Sequence, residues 1–257
     1  MRILITNDDG IYAPGLWALV KSLKDRNGVI VVAPDREQSA IGTAITLHHP
    51  LRVQQVKPEI SGVETWAVGG TPGDSVIMGI SSLSKSKVDL VISGINNGPN
   101  IGDDILISGT VGAALQAYFH GLSAIAVSID ELNSTHLEDA AGFIALLVAE
   151  LGLSPKPEYF LNINFPALPL NKIKGVSITK VSTSGYCDTA EEGSDGRRKY
   201  YWLKHQKAEA YYGKLTDAWA VAHSKISVTP LHKYLFGKNE PVLDGNIKGL
   251  LAKISSK

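Results

Sequence analysis

Asn7, Asp8, Asp9 and Gly10 follow directly on the apolar run RILIT. Two adjacent carboxylates at such a point repel each other unless a cation or a shared proton lies between them. A divalent metal is the simplest resolution. Hard cations such as magnesium, manganese or calcium take oxygen from carboxylate, amide and hydroxyl groups, with water completing the shell. Further along the chain, VVAPDREQSAIG offers Ser39, and SGINNGPNIG offers Asn96 and Asn97. Asp8, Asp9, Ser39 and Asn96 are able to converge on one ion. The competing reading of NDDG is a plain turn, and of Ser39 or Asn96 a helix cap. In SGTVGAALQA a Gly-containing turn at Ser108, Gly109 and Thr110 runs straight into an Ala-rich helix. Free N–H groups and the positive end of a helix dipole there suit a phosphate; an ordinary N-cap is the alternative. The chain has neither the Gly-Lys-Ser/Thr ending of a P-loop nor GxGxxG after its first strand, which argues against a nucleoside-triphosphate engine and a dinucleotide oxidoreductase.

These candidates need a scaffold that gathers them. Continuous apolar runs at residues 2–6 (RILIT), 29–33 (VIVVA), 89–93 (DLVIS), 124–128 (AIAVS) and 159–163 (YFLNI) read as strands buried on both faces. Helical patterns fall between them at 14–23, 74–83, 110–120 and 137–151. The alternation predicts a mostly parallel sheet with helices on both faces, a three-layer α/β/α arrangement. Ligands gather beyond the carboxyl ends of strands in such sheets, where the candidate residues stand. Residues 43–66 read as an excursion with the character of a hairpin. After Gly175, VSITKV and KISVTPL flank a polar stretch at 182–199 that reads as a long hairpin or loop. We expect one domain, with residues 1–175 as the core that carries the metal and phosphate candidates and 176–257 as a C-terminal extension carrying a β-hairpin. The unpaired edges of that hairpin point to a homodimer or homotetramer.

Composition narrows the setting. With 257 residues and 44% hydrophobic content the chain builds one substantial core. Lys plus Arg and Asp plus Glu are 25 each, so no charge excess calls for duplex nucleic acid or an anionic membrane. The single cysteine, Cys187, cannot close an intramolecular disulfide. No secretory leader or membrane span is legible, and we expect a cytoplasmic protein.

The motifs taken together resemble the SurE family of metal-dependent 5'-nucleotidases. The resemblance rests on ILITNDDGIYAPG, VVAPDREQSAIG, VGGTPGDSV, SGINNGPNIGDD, SGTVGAA, NINFP, GRRKYYW and TDAWAVAHSKISVTPL, in that order. It implies a Rossmann-like core in which residues 1–175 bind metal and nucleotide, hydrolysis of nucleoside 5'-monophosphates, one divalent ion per subunit (magnesium, manganese or similar), and a hairpin exchanged between subunits. It also implies metal ligation by Asp8, Asp9, Ser39 and Asn96 and phosphate binding at Ser108, Gly109 and Thr110. Asp8 would orient or deprotonate the attacking water, and Asn96 and Asn97 would reach the phosphate. The same resemblance allows 3'-nucleotides or short polyphosphate as substrates, and a non-catalytic nucleotide- or metal-binding module stays open beside it. Ile107 stands where the family often has Tyr, Gln116 where it often has an acid, and Ser194-Asp195 where it has Asp-Pro. No histidine has metal-ligand spacing, and Tyr186, Tyr200, Tyr201 and Trp202 are candidate contacts for a base.

Overall fold

The computed structural model describes residues 1–131, 134–152, 158–183, 188–204 and 213–232. Tyr186, Cys187 and His205, and the end of the extension from residue 233, lie outside the described residues. The strands are β1 (Arg2–Thr6), β2 (Gly28–Pro34), β3 (Val53–Gln55), β4 (Glu64–Val68), β5 (Leu90–Asn97), β6 (Ser123–Ile129), β7 (Phe160–Phe165), β8 (Val176–Ile178), β9 (Thr189–Ser194), β10 (Lys199–Lys204) and β11 (Ile226–Pro230). The helices are α1 (Pro14–Leu23), α2 (Pro72–Met78), α3 (Asp104–Ile107), α4 (Gly109–Phe119), α5 (Ser134–Gly152) and α6 (Asp217–Ala222), with a π turn at Gly79–Leu83 extending α2.

Nine strands form one sheet in the order β3-β4-β2-β1-β5-β6-β7-β11-β8. The five apolar runs are its parallel centre. Side chains in a strand alternate between faces, and β1 divides the core accordingly. Ile3 and Ile5 pack with Leu16, Leu19 and Val20 of α1 and Ile144 of α5, while Leu4 packs with Val76 of α2 and Val111 and Ala114 of α4. The result is the three-layer α/β/α arrangement that continuous apolar strands require.

The excursion at 43–66 ends in a hairpin, β3 antiparallel to β4, and β4 joins the main sheet parallel to β2. At the other edge β11 runs antiparallel to β7 and carries β8 beside it. The polar stretch holds the two-stranded hairpin β9–β10, paired from Thr189 with Lys204 to Ser194 with Lys199. The chain turns one way from β1 through β2 to β4, then crosses back to β5 on the other side. That reversal between β1 and β5 is the switch point at which a doubly wound sheet opens a crevice.

Candidate functional site: paired carboxylates at the switch point

The loop after β1 is fixed before any ligand is considered. Asn7, fully buried, donates from Nδ2 to the Gly10 carbonyl at 2.9 Å, and Ile11 N–H donates to Pro34 O at 2.9 Å. Gly10 takes φ +100° with Arg36 backbone against it, a conformation that glycine alone adopts without strain. Gln38 N–H donates to the Asp8 carbonyl at 2.7 Å, so the loop that carries Ser39 is fastened to the residue that carries the first carboxylate.

Asp8 is 4% exposed. Thr110, at the start of α4, donates to it twice: its hydroxyl to Oδ1 and its backbone N–H to the carboxylate. Gly109 lies so close that a Cβ there would stand 2.8 Å from Asp8 Cβ and 2.9 Å from Oδ2. The amino end of α4 is thus turned on Asp8. Ser108 Oγ accepts from Val111 N–H at 3.1 Å as the cap of the same helix. The cap reading of Ser108 holds, and Thr110 positions a carboxylate. Gly109 N–H, at the first position of the helix, is of the kind that a helix leaves without an internal partner.

Both acids are electrostatically uncomfortable. Burial pushes the Asp8 carboxyl above its ordinary range, against the opposing pull of the Thr110 hydrogen bonds. Asp9 is pushed up to about 7, first by burial and then by the charge of Asp8, with Asn97 N–H acting the other way. Asp9 Oδ2 and Asn7 Oδ1 are buried without a hydrogen-bond partner. An unpartnered carboxylate oxygen beside a second buried carboxylate is costly, and a divalent cation removes both costs. Among the described residues no group of three or more acids, histidines or cysteines is placed to hold a metal ion, so neutral oxygens must complete the shell. Ser39 and Asn96 supply them. Ser39 Oγ donates to Glu37 at 2.7 Å, leaving its lone pairs for a cation. Asn96 donates from Nδ2 to Gly98 O at 2.7 Å, which turns its carbonyl oxygen to other use.

Asp8, Ser39, Asn96, Asn97 and Ser108 line one cavity of about 230 Å³. Asp9 lines an adjoining cavity of about 420 Å³, and Asn97 borders both. The smaller cavity therefore brings together Asp8, Ser39, Asn96, Asn97 and Ser108, while Asp9 faces the larger one. The extra residue that β5 inserts between Ser93 and Asn96 relative to β6 re-aims the strand end, as a bulge does. Tyr200, Tyr201 and Trp202 are on β10 and line neither cavity. His120 and His223 bond the carbonyls of Gln116 and Trp219 at helix ends, each at 2.8 Å, and His48 and His49 are exposed.

Sequence reasoning missed the polar web that holds the loop after β5. Asn164 Oδ1 accepts from Asn100 N–H at 2.8 Å, Asn162 Nδ2 donates to Asn100 O at 2.7 Å, and Asn100 Nδ2 donates to Ser128 Oγ at 2.7 Å. Asp217, fully buried at the head of α6, accepts from Gly102 N–H at 2.9 Å and Ser182 N–H at 2.8 Å. The available signal was NINFP, where two asparagines alternate within an apolar strand and demand partners once buried.

Fold and site together define a doubly wound α/β protein with a carboxylate pair, one buried and one half-buried, at the switch point of its sheet. The chain belongs to the SurE family: the family model described as Survival protein SurE matches residues 3–188. A 5'-nucleotidase SurE of Dehalococcoides mccartyi (strain CBDB1) is 49% identical, over 100% of this chain and 98% of that protein. Another, of Syntrophotalea carbinolica, is 47% identical over 90% and 91%. The crystal structure of the SurE protein from Aquifex aeolicus superposes with a TM-score of 0.79 at 34% identity, covering 98% of this chain and 100% of that one.

Proposed function

We propose that this chain is a divalent-metal-dependent 5'-nucleotidase that hydrolyses nucleoside 5'-monophosphates to nucleoside and inorganic phosphate. Relatives bearing that activity in their names match along the whole chain. The observation that carries the reading is the adjacent pair Asp8–Asp9, with Asp8 buried, held by Thr110 and sharing a small cavity with Ser39 and Asn96. Asp8, Asp9, Ser39 and Asn96 would hold one ion per subunit, magnesium or manganese by donor chemistry. When bound, the ion neutralises phosphoryl oxygens and lowers the pKa of bound water.

The protein's own groups do the rest. Asp8, its carboxylate fixed by Thr110, orients the attacking water and takes its proton. Asn96 and Asn97 and the turn Ser108-Gly109-Thr110 receive the phosphate, with Gly109 N–H as the donor of that turn and Ser108 and Thr110 shaping it. Residues 1–175 form the metal- and nucleotide-binding core and 176–257 the extension. Tyr201, Trp202 and Leu203 are 57%, 68% and 83% exposed on β10, an apolar load that another subunit covers; we read the assembly as a homodimer or homotetramer. No helix among the described residues is long and apolar enough to cross a membrane, and we place the protein in the cytoplasm.

The test is phosphate release from nucleoside 5'-monophosphates with added manganese or magnesium. We expect release that a chelator abolishes and that Asp8→Asn reduces by at least about a thousandfold, with native thermal unfolding. Absence of release across metals and nucleotides refutes the reading. Deleting 189–204 with a short Gly/Ser bridge leaves the nine-stranded sheet whole; light scattering is then expected to find a monomer, and an unchanged assembly refutes the hairpin's role.

A further inference from the structure

The larger cavity, about 420 Å³, lies over the carboxyl ends of β1 and β2, is lined by Asp9, and shares Asn97 with the smaller one. A molecule whose phosphoryl group sits against Asp8 and Asn96 has this hollow beside it. The volume falls in the range of small-ligand sites, about 300–1,000 Å³. Gly10, Ala13 and Gly15 keep its lining free of bulk.

Two side chains give the cavity its chemistry. Tyr12 is 62% exposed, although Ile11 beside it is 1% exposed in the core. Its backbone is clamped on both sides, by Ile11 N–H on Pro34 O at 2.9 Å and Ala13 N–H on Gly10 O at 3.0 Å. An open ring on a fixed loop at the mouth of a cavity is a stacking platform. Asp35 directly follows β2, its N–H donating to Val68 O at 2.9 Å. Its carboxylate is 46% exposed, and its ion pair with Arg36 is long, 3.8 Å, which leaves acceptor capacity over. An acid at the carboxyl end of the second strand of a doubly wound sheet is placed to accept from ribose hydroxyls.

We propose that this cavity is the nucleoside subsite, with Tyr12 stacked on the base and Asp35 accepting from the ribose hydroxyls. The proposal rests on the nucleotidase reading and adds a substrate class to it. A ring face accepts any base, so discrimination falls on the sugar: ribonucleoside monophosphates are preferred over 2'-deoxy ones, with little choice among bases.

The experiment measures phosphate release by the full chain with manganese from ribonucleoside 5'-monophosphates, their 2'-deoxy counterparts and phenyl phosphate. Tyr12→Ala is expected to lower the preference for ribonucleotide over phenyl phosphate by about 5- to 100-fold, mostly through KM, and Tyr12→Phe to retain it. Asp35→Asn is expected to shrink the ribo-over-deoxy ratio by about fivefold or more. A wild type that acts on nucleotides while both variants keep its ratios and its thermal unfolding overturns the subsite alone. A wild type that hydrolyses no nucleoside monophosphate overturns the nucleotidase reading, and the subsite with it.

Discussion

Replacing Asp9 by Asn is expected to make the metal-free protein more stable while removing its response to metal. The carboxyl goes from 3.8 in the unfolded chain to about 7 in the fold, so between those values the folded state binds more protons than the unfolded one. Stability then falls as pH rises from about 4 to 7, and the whole cost is present above 7. At about 1.4 kcal/mol for each tenfold change in proton affinity, the ceiling is about 4 kcal/mol. Asp9 keeps some access to solvent, which screens the charge, and we take roughly 1–2 kcal/mol. The amide keeps an oxygen for Asn97 N–H, and its other group lacks a partner just as Asp9 Oδ2 does, so that cost is common to both proteins. For a chain of this size the gain corresponds to roughly 2–8 °C in Tm. The assay is thermal unfolding in chelator at pH 8 and pH 5, repeated at pH 8 with excess manganese. We expect Asp9→Asn to unfold above wild type at pH 8 in chelator, the gap to narrow at pH 5, and manganese to raise the Tm of wild type only, as ligand binding to the folded state requires. A variant that unfolds at or below wild type at pH 8, with the same pH slope, refutes the account of the strained pair.

Two further substitutions separate the site from its scaffold. Gly109→Ala puts a methyl 2.8 Å from Asp8 Cβ and 3.2 Å from Gln38 O; titration calorimetry with manganese is expected to find metal affinity reduced at least about tenfold, with a loss of about 1–3 kcal/mol in stability as Asp8 is displaced. Unchanged affinity refutes the tight approach of α4 to Asp8. Asn164→Ala leaves the buried Asn100 N–H without its acceptor and is expected to lose about 1–3 kcal/mol in denaturant unfolding; a loss under about 0.5 kcal/mol refutes the anchoring role of the web.

The parallel centre of the sheet and its four long helices were legible because the information is local. Continuous apolar runs and 3.6-residue periodicity recur within a few residues of themselves, and the strand ends then named Asp8, Asp9, Ser39 and Asn96. Local pattern says nothing about which far element lies opposite a given atom. Thr110 read as part of a phosphate turn because Ser-Gly-Thr before a helix suits one, yet the packing of α4 on β1 aims its hydroxyl and N–H at Asp8. NINFP shows that Asn162 and Asn164 need partners without saying which, and only the docking of β7 and α6 beside the loop after β5 brings Asn164 to Asn100 and Asp217 to Gly102, across 64 and 115 residues of chain. By itself the sequence determined the residue types available at the strand ends and the family to which they belong. Tertiary structure alone decided how buried the two carboxylates are, which cavity each one faces and what holds them, because desolvation and side-chain direction arise only when distant elements pack.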